Sequence, residues 1–321
     1  MTSIERFLSL GLLVCVCASA GSVLAAVGWP LDLLAHFQAQ IALAGVVLLV
    51  LLWVIRRRAL ALVAGLLCGF SIWQMDVAST TRFAEASTSD GVEVKLAAAN
   101  LFGRPGALGR LSEAHQNEAF DILVLTELPA DADDTLLSSI PDMRHIAGSP
   151  RQATFGRPSA VILSRSPPTD VENVRVGQNA AAITKASYCL ENRRSCLTVF
   201  AIHPLPPITP ALYERQKSIL EELARQLQET DGAALVASDF NAVSWSPLMT
   251  AFQGRADVRK VACGARWSPT WLAPVPGFGL ELDHLFIKGA LRKKTCKVGS
   301  FLWSDHWPII SELLLVDTGA D

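Results

Sequence analysis

Five apolar runs in this 321-residue chain begin or end in a residue able to do chemistry. "VEVKLAAAN" closes on Asn100, "FDILVLTE" on Glu127 and "CLTVFAIH" on His203. "AALVASDF" carries Asp239, with Asn241 just beyond it, and "DHLFIKG" opens on Asp283. A sixth cluster, "SDHWPI", sets Asp305 and His306 directly before the last apolar run. Any one of these residues alone reads as a strand-end cap or a turn residue. Together they predict that several strands deliver their ends to one polar pocket. Its contents would be hard oxygen ligands, acid–base groups and donors that can face a phosphate.

The elements that must position these residues are short and alternate in kind. Strands are expected at 92–100, 120–127, 159–165, 196–203, 233–240 and 283–289, each rich in β-branched or small apolar residues. Helices are expected around Ala107–Ala119 and Pro210–Glu229. In the second, Leu212, Leu220, Leu223 and Leu227 keep near-helical spacing, and Pro210 suits a first turn. No internal repeat interrupts this order, which points to α/β layers around one core.

The chain is half hydrophobic and only 18% charged, and the apolar excess sits in residues 1–76. That segment reads as a membrane anchor with about three transmembrane helices, at 7–27, 37–55 and 59–75. The first two meet the ~20-residue length of a bilayer span and the third is near its lower limit. A cleaved signal peptide is the rival reading of the first. Arg56, Arg57 and Arg58 separate the second and third spans, while the Gly28–His36 loop has no Lys or Arg. The positive-inside rule then keeps the three arginines cytoplasmic. An integral protein of the inner or plasma membrane follows, with residues 77–91 as a linker and 92–321 as an extracytoplasmic globular domain.

Two further features bear on that domain. Four of the seven cysteines, Cys189, Cys196, Cys263 and Cys296, lie in it. Cys189 and Cys196 flank the polar turn "LENRRS" between two strand-like runs, within disulfide reach; free buried thiols are the alternative. The charge is slightly acidic, at −2 for the whole chain. Tight electrostatic binding of nucleic acid is therefore not expected.

The order "AAN … LVLTELP … ILSRSP … FAIHP … LVASDFNAVSWSP … PTW … LDHLFIKG … SDHWPI", from about Val92 to Leu315, resembles the endonuclease/exonuclease/phosphatase superfamily. That superfamily includes deoxyribonuclease-I-like nucleases, sphingomyelinases and inositol phosphatases, and its membrane-anchored bacterial branch is the nearest likeness. The resemblance implies a four-layer α/β sandwich, with two β-sheets face to face and helices outside. It assigns Glu127, Asn100 and Asp305 to a metal site for Mg²⁺, with Mn²⁺ as the substitute. Asp239 corresponds to the residue that activates the attacking water, and Asn241 to an amide on the phosphate. His306, oriented by Asp283, corresponds to the imidazole on a phosphate oxygen, and His203 to a second histidine that serves as general acid.

Some positions depart from the pattern. Thr126 and Ser238 replace a common Gln and Gly, and no carboxylate partner for His203 is evident. His284, Arg165, Trp271, Trp307 and the 292–294 "RKK" read as structural or surface residues. The expected activity is a membrane-anchored, divalent-metal-dependent phosphoesterase hydrolysing a phosphodiester of nucleic acid or of a lipid headgroup. The alternatives are a lipid or sugar-phosphate phosphoesterase at the membrane surface, and a catalytically inactive binding module.

Overall fold

The computed structural model describes residues 2–77, 91–133, 140–177, 181–189, 196–264, 267–275 and 278–316. The 77–91 linker, apart from its end residues, and the "LENRRS" turn lie outside the described residues. The chain divides into two units, one made of Met1–Thr80, Pro207–Tyr213 and Ala242–Ala251, the other of the remainder.

The first unit is helical. Its main helices are Ser3–Val23, Gln38–Val54 and Arg58–Val77, with a short one at Leu31–His36. Thr2 and Glu5 cap the first reciprocally, each side chain taking the other's backbone N–H. Leu8, Leu12, Ile41, Leu48 and Leu52 pack together, yet Phe7, Leu13, Val50, Trp53 and Leu66 remain exposed. Such helices are apolar on both faces, unlike helices that bury a single stripe. Ser3–Val23 and Arg58–Asp76 are long and apolar enough to cross a membrane. The 17-residue Gln38–Val54 helix spans roughly 25 Å, short of the ~30 Å hydrocarbon core. The short member is thus the middle helix rather than the third, because the third continues through Gln74 to Val77.

Among the described residues, the second unit holds twelve strands in two six-stranded sheets. In the first sheet β1 (Val92–Asn100) lies parallel to β2 (Ile122–Thr126), joined by the helix Pro105–Glu118. Around them lie β3 (His145–Ala147), β4 (Ala160–Ser164), β11 (Leu291–Val298) and β12 (Ile309–Leu315), in the order β11-β12-β1-β2-β4-β3. The second sheet repeats the device. Its β7 (Cys196–Ala201) runs parallel to β8 (Ala233–Asp239), and the helix Pro210–Gln228 makes the crossover. The order is β5-β6-β7-β8-β10-β9, with β5 at Asp170–Val176, β6 at Ala181–Cys189, β9 at Arg259–Lys260 and β10 at Asp283–Lys288.

The period-2 alternation of each strand builds the layers. Leu96, Ala98, Ile122 and Val124 meet Leu235, Ala237, Leu285 and Ile287 between the sheets. Ala97, Ala99, Leu123 and Leu125 face the other way, against Leu108 and Leu111 of the Pro105–Glu118 helix. Central strands covered on both faces are apolar throughout, as in "ILVLT" and "AALVASD", which makes them conspicuous in sequence. The edge strands β3, β5, β9 and β11 are short, polar or both, and none of the four was expected as a strand from sequence. The "RKK" of 292–294 is such a case: it belongs to β11, where Lys294 is exposed and half-buried Lys293 donates from Nζ to the Ala262 carbonyl at 3.1 Å.

Both pairs of globular-part cysteines are bridged. Cys189 and Cys196 are direct register partners on β6 and β7. Cys263 and Cys296 join the segment after β9 to β11. Since β9 and β11 are the edges of different sheets, this second bridge staples the two sheets along one side.

Candidate active site

Topology brings the polar residues to one end of the sandwich. The parallel strands β1, β2, β7 and β8 all terminate there, delivering Asn100, Glu127, His203 and Asp239. The strands β10 and β12 run antiparallel to β8 and β1, so their beginnings lie at that same end. Asp283 thus stands opposite Asp239 in register, and Asp305 and His306 precede β12.

Two carboxylates facing one another on paired strands repel, and an imidazole between them offsets this. His306 Nδ1 lies 2.7 Å from Asp283 Oδ2, and its Nε2 lies 3.7 Å from Asp239 Oδ2. Thr270 Oγ1 accepts the N–H groups of Leu282 and Asp283 at 3.1 and 3.0 Å, fixing the start of β10. Burial works against the imidazolium, but Asp283, Asp239 and Asp305 outweigh it and push the His306 pKa up to about 9.

Asp239 is buried and nonetheless held as a carboxylate. Desolvation disfavours its charge, yet His306, His203 and the Asn241 N–H win, drawing its pKa down to about 2. Its Oδ1 accepts the Asn241 backbone N–H at 2.8 Å, and its Oδ2 accepts Asn100 Nδ2–H at 2.9 Å. Asn241 sits in the left-handed region at φ 50, a conformation Asn tolerates well. That turn aims its amide back at the site, with Nδ2 3.0 Å from the Pro204 carbonyl and 3.3 Å from Asp239 Oδ2.

His203 receives its backing from the main chain. Its Nδ1 lies 2.9 Å from the Arg157 carbonyl, which can only accept, so Nδ1 carries hydrogen. The Nε2 atom faces Glu127 Oε1 at 3.3 Å and Asp239 Oδ2 at 3.5 Å. Against full burial, these two carboxylates raise the His203 pKa to about 10. The carboxylates therefore lie on the pocket side of the ring, while a backbone carbonyl holds its rear.

Glu127 completes the set from a strained position, φ 47, which is uncommon for a non-glycine residue. Its carbonyl accepts the Gly103 N–H at 2.7 Å. Its Oε2 is buried and has no hydrogen-bond partner. Asp305, half-buried beside it, receives Trp271 Nε1–H at 3.2 Å on Oδ2. Burial, reinforced by the charge of Glu127, raises the Asp305 pKa.

All eight candidate residues thus share one end of one unit. Glu127 Oε2 is an orphan acceptor, and burial raises the pKa values of Asp283 and Asp305. Ligand atoms of Glu127, His203 and Asp239 lie within 4.8 Å of one another, as do those of Asp239, Asp283 and His306. An oxygen-rich set with an unpartnered carboxylate oxygen fits a hard divalent cation. Asn100 differs in emphasis from a simple ligand: its amide N–H is on Asp239, and its Oδ1 takes the Phe102 N–H at 2.9 Å.

Three supporting residues were not legible beforehand. Ser304 Oγ donates to the Asn100 carbonyl at 2.7 Å and accepts the His306 N–H at 3.1 Å, tying the "SDH" loop to β1. Ser238 donates to the Ile202 carbonyl, joining β8 to the segment that carries His203. Trp271, read as packing, holds Asp305. The "PTW" run containing Thr270 and Trp271 was the available signal, but it did not say what those side chains touch.

A family model described as "Endonuclease/Exonuclease/phosphatase family" matches residues 97–306, well over half of the chain. The chain belongs to the endonuclease/exonuclease/phosphatase family. Among solved structures, the endonuclease/exonuclease/phosphatase from Beutenbergia cavernae DSM 12333 is similar, at 19% identity and a TM-score of 0.54, over 70% of this chain and 72% of that one. An AP endonuclease from Archaeoglobus fulgidus shares 18% identity with a TM-score of 0.53, over 68% and 98%. The mannosyl-6-phosphatase Bt3783 of Bacteroides thetaiotaomicron VPI-5482 shares 15% with a TM-score of 0.53, over 69% and 99%. At these identities the likeness establishes the fold. No curated protein matches this endonuclease/exonuclease/phosphatase family member significantly.

Proposed function

We propose that the chain is a membrane-anchored, divalent-metal-dependent phosphoesterase that hydrolyses a phosphodiester by an activated water. The observation that carries this reading is the state of Asp239: a buried carboxylate kept ionised by two imidazoles and two amides, beside an orphaned Glu127 oxygen. An ionised carboxylate is the form that can orient a water and accept its proton.

Glu127 and Asp305 would hold the cation, with Asn100 beside them. Bound Mg²⁺ would supply charge stabilisation at the phosphoryl and leaving oxygens. Asp239 orients a water and takes its proton, while Asn100 Nδ2–H and Asn241 N–H keep its carboxylate aimed. His306 donates through Nε2 to a non-bridging phosphate oxygen, held in one tautomer by Asp283 on Nδ1. The Asn241 amide would offer the phosphate a second donor by exchanging its longer, 3.3 Å contact with Asp239 Oδ2. His203, tethered to the Arg157 carbonyl, presents Nε2–H to the pocket as proton donor to the leaving oxygen, and it offsets the charge of Glu127 and Asp239.

Anchoring rests on the two long apolar helices and their exposed apolar surface. Two disulfides are what an oxidising compartment permits, which supports an extracytoplasmic position for the sandwich. The decisive experiment is hydrolysis of DNA, RNA, sphingomyelin, phosphatidylinositol and inositol phosphates by the full chain, with Mg²⁺ and with chelator. Metal-dependent cleavage of a diester is expected. Cleavage of none of them would leave the chain a binding module, and cleavage of monoesters alone would make it a phosphatase.

A further inference from the structure

The loops that carry the metal-side residues also carry aromatic rings that face solvent. Phe102 follows Asn100 by two positions and gives that residue its backbone N–H. Phe155 lies against the segment after Glu127, its N–H donated to the Leu128 carbonyl at 3.1 Å. Trp303 directly precedes Ser304 and Asp305. Phe155 is 56% exposed and Trp303 50%. Exposed rings of this size are costly in water unless something covers them.

These rings are braced. Phe102 and Phe155 meet edge to face, with centroids 5.2 Å apart at 86°. The Arg104 guanidinium lies 5.0 Å over the Phe102 ring and donates to the Trp303 carbonyl at 2.7 Å. Arg110 lies 4.5 Å over the Trp303 ring. Phe102 and Trp303 both adopt left-handed backbone, φ 49 and 65, where bulky residues are outliers. Gly103, at φ 63, leaves room for this: a Cβ there would stand 2.9 Å from Phe155 Cβ. Glycine or asparagine would relieve both strained turns, yet the chain places aromatic rings in them.

We propose that Phe102, Phe155 and Trp303, braced by Arg104 and Arg110, form a stacking subsite for a nucleobase next to the scissile phosphate of single-stranded nucleic acid. This rests on the site being a phosphodiesterase. Two fixed guanidinium groups among the rings suit a planar group joined to an anionic phosphate, and they interrupt the continuous apolar surface that an acyl chain would need. A duplex keeps its base faces stacked inside, so an unpaired strand is the form that can offer them. Stacking also answers the charge problem. A slightly acidic chain cannot hold a strand by charge alone, whereas each stacked base adds affinity independent of net charge.

The test uses the full chain in detergent with chelator present, so that nothing is cut. Binding of a short labelled single-stranded DNA is compared with that of its abasic counterpart, and with vesicles of phosphatidylglycerol. The wild-type chain should prefer the base-bearing strand. Phe155→Ala and Trp303→Ala should each weaken that binding roughly 5- to 100-fold while leaving abasic binding unaltered. Phe155→Leu, which keeps apolar volume without a π face, should behave like the alanine variant at an unchanged melting temperature, excluding misfolding. Equal binding of base-bearing and abasic strands by the wild type would overturn the proposal. So would variants that lose vesicle binding while DNA binding stays intact, which would make the platform a lipid contact. Phosphodiester hydrolysis, followed in parallel with Mg²⁺, separates the two readings: its absence removes the proposed function, while base-dependent binding alone decides the platform.

Discussion

The two sides of the pocket are finished to different degrees. Around Asp239, Asp283 and His306, carboxylate faces imidazole and amide, and the hydrogen bonds come from neighbouring strands and loops within the same fold, with only Asp283 Oδ1 buried and unpartnered among the carboxylate oxygens there. Around Glu127 and Asp305, one carboxylate oxygen is buried without a partner and the other carboxyl is half-exposed. The first side is preorganised by the protein itself, which costs no reorganisation when charge develops. The second is left short of positive charge, and a cation would complete it. Side chains that look equivalent in sequence therefore answer to different physics.

The sharpest way to break this contrast is Asp239→Asn, which keeps shape but removes the base. Hydrolysis should fall on the order of 10²–10⁴-fold, and added Mg²⁺ should not restore it. Full activity in that variant would end the assignment of Asp239. On the other side, Glu127→Gln should raise the Mg²⁺ concentration needed for half-maximal rate by about 10²-fold, with recovery at high metal. A metal titration reads this directly, and an unaltered titration curve would move the cation elsewhere.

Asp283→Asn tests the enclosed side more gently. It takes away one of the three carboxylates that raise the His306 pKa, so that pKa should drop from about 9. The alkaline limb of the pH–rate profile should move to lower pH, with a loss of roughly 10-fold at neutral pH. A profile that does not move would separate His306 from the reaction.

Stability carries the same signature. His306 and His203 have folded pKa values raised to about 9 and about 10 from 6.5. Their stabilisation is fully present below pH 6.5 and is lost as pH rises through 9 and 10. The melting temperature of chelated protein should therefore decline across that window. With saturating Mg²⁺, melting should be higher throughout, because the cation binds only the folded state. The last expected effect bears on stability alone and is local to the two disulfides. Replacing Cys263 with Ser opens a bridge of sequence separation 33 and should cost about 3–4 kcal/mol by loop entropy, against roughly 2 kcal/mol for the tighter Cys189–Cys196 loop. Urea unfolding of the two variants would show equal costs if the inter-sheet staple had no special weight.

Much of this was written in local sequence. Central strands buried on both faces must be apolar throughout, so β1, β2, β4, β7, β8 and β10 stood out, as did the polar residues at their ends. The Pro210–Gln228 crossover helix announced itself through leucine spacing and a proline start, and the other was expected around Ala107–Ala119, two residues inside its observed start at Pro105. The apolar character of the first 76 residues needs no fold to be read. Edge strands such as β5 and β11 escaped, because one face or one side meets water and their composition imitates loops.

What tertiary structure alone decided is which of these residues face one another. Asp283 meets Asp239 because β8 and β10 pair in one register, and a slip of a single residue along β10 would turn Asp283 to the other face. The partner behind His203 is a carbonyl forty-six residues distant, which no side-chain motif can encode because every residue has one. Cys263 finds Cys296 only because the edges of two different sheets come together. Residue type sets what a side chain can do, and that is local. Its protonation state and partners depend on burial and on groups distant in sequence, and only the packed chain brings those together.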